Sequence, residues 1–191
     1  MTQAALGQLV RRIEKNQYEG DLPPVAQWQP AQQIDLPLSI DRQGQWCFAQ
    51  EPIQRTRLAR LLSTLLRREP DGRYAIITPQ EKVYVEVDDV PFIICLAERE
   101  VVNNKTRIWL TTQFSDRFYL GAENPITFKT LEQAAPVPYV RVRGQLFGRI
   151  LPAVFYQLVE WGEGVTCAAS GKTDWRVSSD GQFFSLGQFE A

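Results

Sequence analysis

The chain contains no histidine. That absence removes the Ser-His-Asp and Cys-His nucleophile arrangements, histidine-ligated metals and the usual general base near neutral pH. Cysteine is scarce, with Cys47, Cys95 and Cys167 widely spaced. Such an odd, dispersed set fits neither a disulfide framework nor a zinc site, so three reduced and mostly buried thiols are expected. No charge sign dominates: 21 Lys and Arg face 22 Asp and Glu, a formal net charge of −1. Neutralising phosphates normally needs a basic excess, so no nucleic-acid partner is expected. No apolar run approaches the ~20 residues that cross a bilayer, so no membrane span is expected. Arg11, Arg12, Glu14 and Lys15 occupy the place of a signal's apolar core, which points to a cytoplasmic protein. Glycine-rich nucleotide loops and the Gly-x-Ser-x-Gly elbow are also missing, and Gly171-Lys172-Thr173 lacks the upstream glycine of a phosphate loop. No metal or cofactor is expected, and the reading leans away from an enzyme. Any proton transfer would fall to Glu81 and Lys82 as acid and base.

What is present reads as a globular α+β chain, 44% hydrophobic and 23% charged. Ala5, Leu6, Leu9, Val10 and Ile13 share one helical face, giving a docking helix over residues 1–20. A stretch broken by Pro23, Pro24, Pro30 and Pro37 follows, extended and pinned by Trp28. Short strands at Leu38–Ile40 and Gln45–Ala49 flank a glycine turn at Gly44. Pro52 suits the first turn of a helix over Ile53–Arg68, whose stripe is Leu58, Leu61, Leu62, Leu65 and Leu66. Short strands then succeed one another from Arg73 to Lys129, separated by turn residues, which predicts an antiparallel meander. Tyr139–Val142, Gln145–Ile150, a helix from Pro152 to Trp161 and two strands near Trp175 and Phe183 complete the chain.

The end of the chain echoes its beginning. Gly44-Gln45, Pro52 and Leu58 recur a hundred residues later as Gly144-Gln145, Pro152 and Leu158. The order strand, glycine turn, strand, helix, strand repeats, which predicts a duplicated core and two small α+β domains, 21–80 and 81–191. Clefts between such units favour ligands. Two clusters are suited to line one: Thr78, Glu81 and Lys82 between strands, and Tyr139, Arg141 and Arg143. Strand alternation throws the last three to one face, where they either grip an anion and stack a base or form an exposed surface. Arg55 and Arg67 are weaker candidates, because helix arginines often lie on a solvated face. The functional expectation is a regulatory module binding a small anionic or nucleotide-like ligand at the domain interface. The alternative is a protein-interaction module with a protein partner.

The motifs also carry a resemblance. Trp28-x-Pro30, Gly44-x-Trp46, Pro52-Ile53-x-Arg55-x-x-Leu58 and Leu66-Arg67-Arg68-Glu69 are followed by Asp71-Gly72-Arg73-Tyr74 and Thr78-Pro79-x-Glu81-Lys82. Val87-Asp88-Asp89-x-Pro91-Phe92, Pro138-Tyr139-Val140-x-Val142-Arg143-Gly144 and Phe183-Phe184 complete the series. In this order they resemble the bacterial family known as domain of unknown function 1285. The resemblance implies a duplicated α+β core whose C-terminal half is loosely similar to pleckstrin-homology domains, an antiparallel sheet with a helix. It also implies a nucleotide-like ligand between the halves and a role in signal transduction, with no established enzymatic activity. This chain departs from the family pattern in carrying Gln27 and Arg141 where histidine is common.

Overall fold

The computed structural model describes residues 7, 8, 10, 11, 13, 22–102, 105–130, 135–166 and 172–190. Gly7, Gln8, Val10, Arg11 and Ile13 are helical, and the rest of the predicted N-terminal helix lies outside the described residues. The chain divides into two compact units, Met1–Pro91 and Phe92–Ala191. Most of the described backbone is strand, with two nine-residue α-helices. None of the described helices is long and apolar enough to cross a membrane.

The first unit contains β1 (Gln32–Ile40), β2 (Trp46–Phe48), β3 (Glu51–Pro52), α1 (Thr56–Thr64), β4 (Leu66–Arg68), β5 (Tyr74–Ile77) and β6 (Glu81–Val87). Its sheet has the order β3-β2-β1-β6-β5-β4. Two antiparallel meanders, β1–β3 and β4–β6, are joined by a parallel pairing of β1 with β6. The core face carries Leu38, Ile40, Trp46, Ile76 and Val83, with Leu62 and Leu65 also fully buried. At roughly 1.5–3 kcal/mol per buried large apolar side chain, this face dominates the favourable side of the balance.

The second unit contains β7 (Phe92–Val102), β8 (Lys105–Thr112), β9 (Arg117–Tyr119), β10 (Ile126–Lys129), β11 (Val137–Arg143), β12 (Leu146–Ile150), α2 (Pro152–Glu160), β13 (Glu163–Thr166), β14 (Lys172–Ser179) and β15 (Gln182–Glu190). Its larger sheet runs β10-β11-β12-β7-β8-β9, and β13-β14-β15 form a separate antiparallel sheet. Here β12 and β7 are the parallel pair. The two six-stranded sheets share one topology, but the predicted repeat of strand, glycine turn, strand, helix, strand is not the unit that recurs. The matching blocks are β1–β6 and β7–β12, each two meanders joined first strand to last. Gly44 lies between β1 and β2, whereas Gly144 lies between β11 and β12, the counterpart of the β5–β6 turn. The hundred-residue echo thus pairs non-equivalent turns.

Five further expectations differ from what the structure shows. Both six-stranded sheets are mixed, so the C-terminal unit is not a purely antiparallel sheet with a helix. The predicted helix over Ile53–Arg68 shrinks to α1, because Leu66–Arg68 pair with Tyr74–Ile76 as β4. Leu65 and Leu66 fit a helical stripe and a buried strand equally well. Pro52 sits not in a helix but in β3, opposite Cys47, at a sheet edge where its missing N–H is harmless. Cys47 is only half-buried and Cys95 is exposed, rather than mostly buried, and Cys167 lies outside the described residues. The sequence placed the domain junction at 80/81, but Glu81–Val87 pair with β1 and β5 and lie within the first compact unit.

Candidate functional site

The parallel seam of the first sheet is irregular. Between Ile34 and Leu38 the β1 register slips against β6, where Ile34 faces Val83 and Leu38 faces Val85. Four steps along β1 match two along β6, so Asp35, Leu36 and Pro37 bulge away. Pro37 offers no N–H to a ladder, which makes this a natural place for the break. A concavity of about 1090 Å³ opens over this region, with Ile34, Pro37, Ser39, Arg73, Tyr84 and Glu86 in its walls. The β2–β3 turn, Ala49 and Gln50, also borders it. Both residues take positive φ, 50° and 67°, the pair of left-handed conformations that a tight hairpin turn requires.

A row of cations runs across one face of this sheet. Arg67 pairs with Ala75 and Ala75 with Tyr84, so Arg67 and Tyr84 share a face, and alternation adds Lys82 and Glu86. Arg73 lies over the Tyr84 ring, its guanidinium carbon 3.8 Å from the centroid. It donates to the Tyr84 hydroxyl at 2.9 Å and to Asp71 Oδ2 at 2.8 Å, yet its side chain is 59% exposed. The hydrogen bond from Arg73 holds the Asp71 carboxyl below the usual range. Lys82 Nζ stands 5.4 Å from the same ring and donates to Glu69 Oε2 at 2.9 Å. Arg67 Nε donates to Glu69 Oε1 at 2.6 Å, while its Nη1 donates to the carbonyls of Val25 and Trp28 at 2.6 and 2.9 Å. Burial works to raise the Glu69 pKa, but the bonds from Arg67 and Lys82 prevail and lower it. The bond to Glu69 in turn raises that of Lys82.

The sequence-nominated residues separate into distinct settings. Thr78 Oγ1 accepts the Glu81 N–H and donates to the Glu81 carbonyl, both at 3.0 Å, closing the β5–β6 turn. Glu81 is only 1% exposed. Arg67 and Lys82 meet at Glu69, whereas Arg55 stands exposed at the start of α1. Arg67 belongs to β4 rather than to a helix face, and its side chain is 17% exposed.

The other three nominated residues belong to the second unit. Tyr139 is 2% exposed, with Lys129 Nζ 4.4 Å from its ring centroid. Arg141 pairs with Phe147, and its guanidinium lies 5.9 Å from that ring. Arg143 pairs with Leu146, because β11 carries an extra residue between Arg141 and Arg143. That bulge breaks the alternation, and Arg143 crosses to the opposite face, 4.8 Å above Phe92 and 3.4 Å from Asp116. Removal from water lowers the Arg143 pKa against the pull of Asp116. Tyr139, Arg141 and Arg143 therefore do not share one face.

Sequence reasoning missed Arg73, Tyr84 and Glu69. A signal existed for Tyr84, since Lys82, Tyr84 and Glu86 alternate with Val83, Val85 and Val87. Arg73 depends on a turn geometry with no such period. Among the described residues, no group of three or more His, Cys, Asp or Glu is placed to hold a metal ion.

Comparison with known proteins sets this geometry in a family. Residues 23–90 match the N-terminal domain of the domain of unknown function DUF1285, and residues 91–186 match the C-terminal domain of the protein of unknown function DUF1285. A crystal structure of a DUF1285 family protein from Silicibacter pomeroyi DSS-3 is 33% identical, with a TM-score of 0.76 over 88% of each chain. A DUF1285 family protein from Shewanella baltica OS155 shares the fold at 24% identity, with a TM-score of 0.52 over 65% of this chain and 91% of that one. No curated protein matches this chain. Two domain models end to end, with a one-third-identical structure over most of the length, place the chain in the DUF1285 family.

Proposed function

We propose that this protein is a non-catalytic regulatory module that binds a small ligand bearing a planar ring and an anionic group. The ligand would enter the concavity of the first unit. One observation carries the reading: the Arg73 guanidinium carbon lies 3.8 Å over the Tyr84 ring in the wall of a roughly 1090 Å³ concavity, and the side chain remains exposed. A planar guanidinium can meet two oxygens of a carboxylate or phosphate at once, and its stacked face extends the aromatic surface. Asp71 holds Arg73 from one side only, which leaves donors of its five N–H groups for a ligand. Nucleotides combine both ligand features, so they form the first panel to test.

Thermal shift with a nucleoside phosphate panel is the direct measurement. At tenfold excess over Kd, binding adds about 1.4 kcal/mol of stability, which corresponds to roughly 3–6 °C in a chain of this length. Arg73→Ala and Tyr84→Ala should each abolish the shift, whereas Tyr84→Phe should keep most of it. No shift at millimolar ligand, or an undiminished shift in Arg73→Ala, sinks the proposal.

A second reading, as a protein-interaction module, rests on the face of β7, β8 and β9. Glu98, Trp109 and Tyr119 form one cross-strand row there, beside exposed Leu96 and Arg117. Arg117 lies 4.3 Å above Trp109, and Trp109 meets Tyr119 edge-on at 5.8 Å. Aromatic and arginine side chains of this kind are typical interface anchors. A pull-down lost on Trp109→Ala and unaffected by Arg73→Ala would favour it.

A further inference from the structure

We propose that Arg67, with Glu69 and Lys82, forms an anion subsite that the chain closes with its own residues 23–28. The inference rests on the ligand reading above and extends it along the same cationic row.

The covering segment is held in an unusual way. No residue from Leu22 to Ala31 is buried, and the Val25–Gln27 turn contributes no buried side chain. Within the segment, Val25 N–H bonds Pro23, Gln27 N–H bonds Pro24 and Trp28 N–H bonds Val25. From the body, one Arg67 nitrogen reaches two of its carbonyl oxygens at 2.6 and 2.9 Å. Pro23 and Pro24 stiffen the segment, so both oxygens stay presented to the same cation.

Two oxygens converging on a guanidinium are what a phosphate or carboxylate offers, with the difference that the carbonyls are neutral. An anion forms charge-assisted bonds about twice as strong as those to neutral acceptors. Lys82 Nζ, fixed on Glu69 at 2.9 Å, places a second cation beside the first. Two cations and one carboxylate leave one positive charge beneath the segment. Tyr84 connects this subsite to the concavity, because its ring lies near both Lys82 and Arg73. A ligand reaching from Arg73 towards Arg67 would replace the carbonyls of Val25 and Trp28 and release the segment.

Amide hydrogen exchange over residues 25–29 tests this, using inorganic phosphate and ATP as probes against sodium chloride at equal ionic strength. In the wild type, phosphate or ATP should speed exchange there on the order of tenfold, and chloride should not. Arg67→Ala should show the fast exchange without any anion and no further response, with slow exchange kept in β5 and β6. Arg67→Lys keeps the charge but loses the fork, and should respond only weakly. If ATP raises thermal stability while exchange over 25–29 stays unchanged, the gate fails and the ligand reading survives. If neither changes, both fail. Equal acceleration by chloride, or wild-type exchange in Arg67→Ala, overturns the gate alone.

Discussion

Glu69 is the most informative residue to perturb. Its carboxylate side chain is 8% exposed and takes bonds from Arg67 at 2.6 Å and Lys82 at 2.9 Å. Hydrogen bonds to charged groups contribute about 1.5–3 kcal/mol each. The partners remain 17% and 23% exposed, so water screens them and the lower end applies. Glu69→Gln keeps the shape and one acceptor but turns an N–H₂ group towards a cation. A loss of roughly 2–3 kcal/mol at pH 7 is expected, short of the ~3–5 kcal/mol seen for fully buried pairs. Urea unfolding of the wild type and Glu69→Gln between pH 7 and pH 3 measures it. The sign follows from the lowered folded pKa. The contribution is complete above the unfolded carboxylate value of 4.5 and disappears as pH falls through the folded value. The two proteins should therefore differ fully at neutral pH and draw together as pH falls below 4.5 and through the lowered folded value. A gap under about 0.5 kcal/mol at pH 7 would refute the argument. So would a gap that persists unchanged to pH 3, since it would locate the loss in packing rather than charge.

Gln50→Gly should stabilise the first unit by about 0.5–1 kcal/mol, since a left-handed residue costs roughly 1–2 kcal/mol and the added unfolded-state freedom returns part of it; thermal denaturation with an unchanged or lower Tm refutes this. Gly148→Ala should destabilise the second unit by about 1–3 kcal/mol, because the new Cβ would stand 2.8 Å from Ile94 Cδ1 and 3.2 Å from Val142 Cγ2; a neutral result in urea titration would mean that this seam can relax. Leu62→Ala, at a fully buried α1 position, should lose about 2–5 kcal/mol by the same titration. A loss below about 1 kcal/mol would mean that α1 packs far more loosely than its burial indicates.

The strands from Tyr74 to Val87 and from Lys105 to Lys129 were legible because their alternation and turn residues are local signals. The parallel seams were not, since nothing near Gln32 or Phe92 announces a partner about fifty residues further on. Leu65 and Leu66 misled because a helical stripe and a buried edge strand share the same apolar residues. At Tyr139–Arg143, the period of two identified a strand correctly, but one extra residue reversed the face of Arg143. Periodicity assigns faces only until a bulge intervenes. Thr78 and Glu81 close one turn while Lys82 turns to Glu69, yet the exposed cation on the aromatic wall was Arg73, whose position depends on Asp71, Gly72 and Tyr84 together.

Joining the opening strand of each block to its closing strand also sets a schedule for folding. As the chain leaves the ribosome, β1 exists long before β6, and β7 long before β12. Each central strand must wait for about fifty further residues with one row of amides and carbonyls unclaimed. The outer hairpins can form early from local contacts, while the middle of each sheet is finished last. Distant pairings of this kind slow folding and prolong the exposure of sticky edges. Each half-made block is thus most vulnerable to joining a neighbouring nascent chain along the very line that later becomes its best-protected interior.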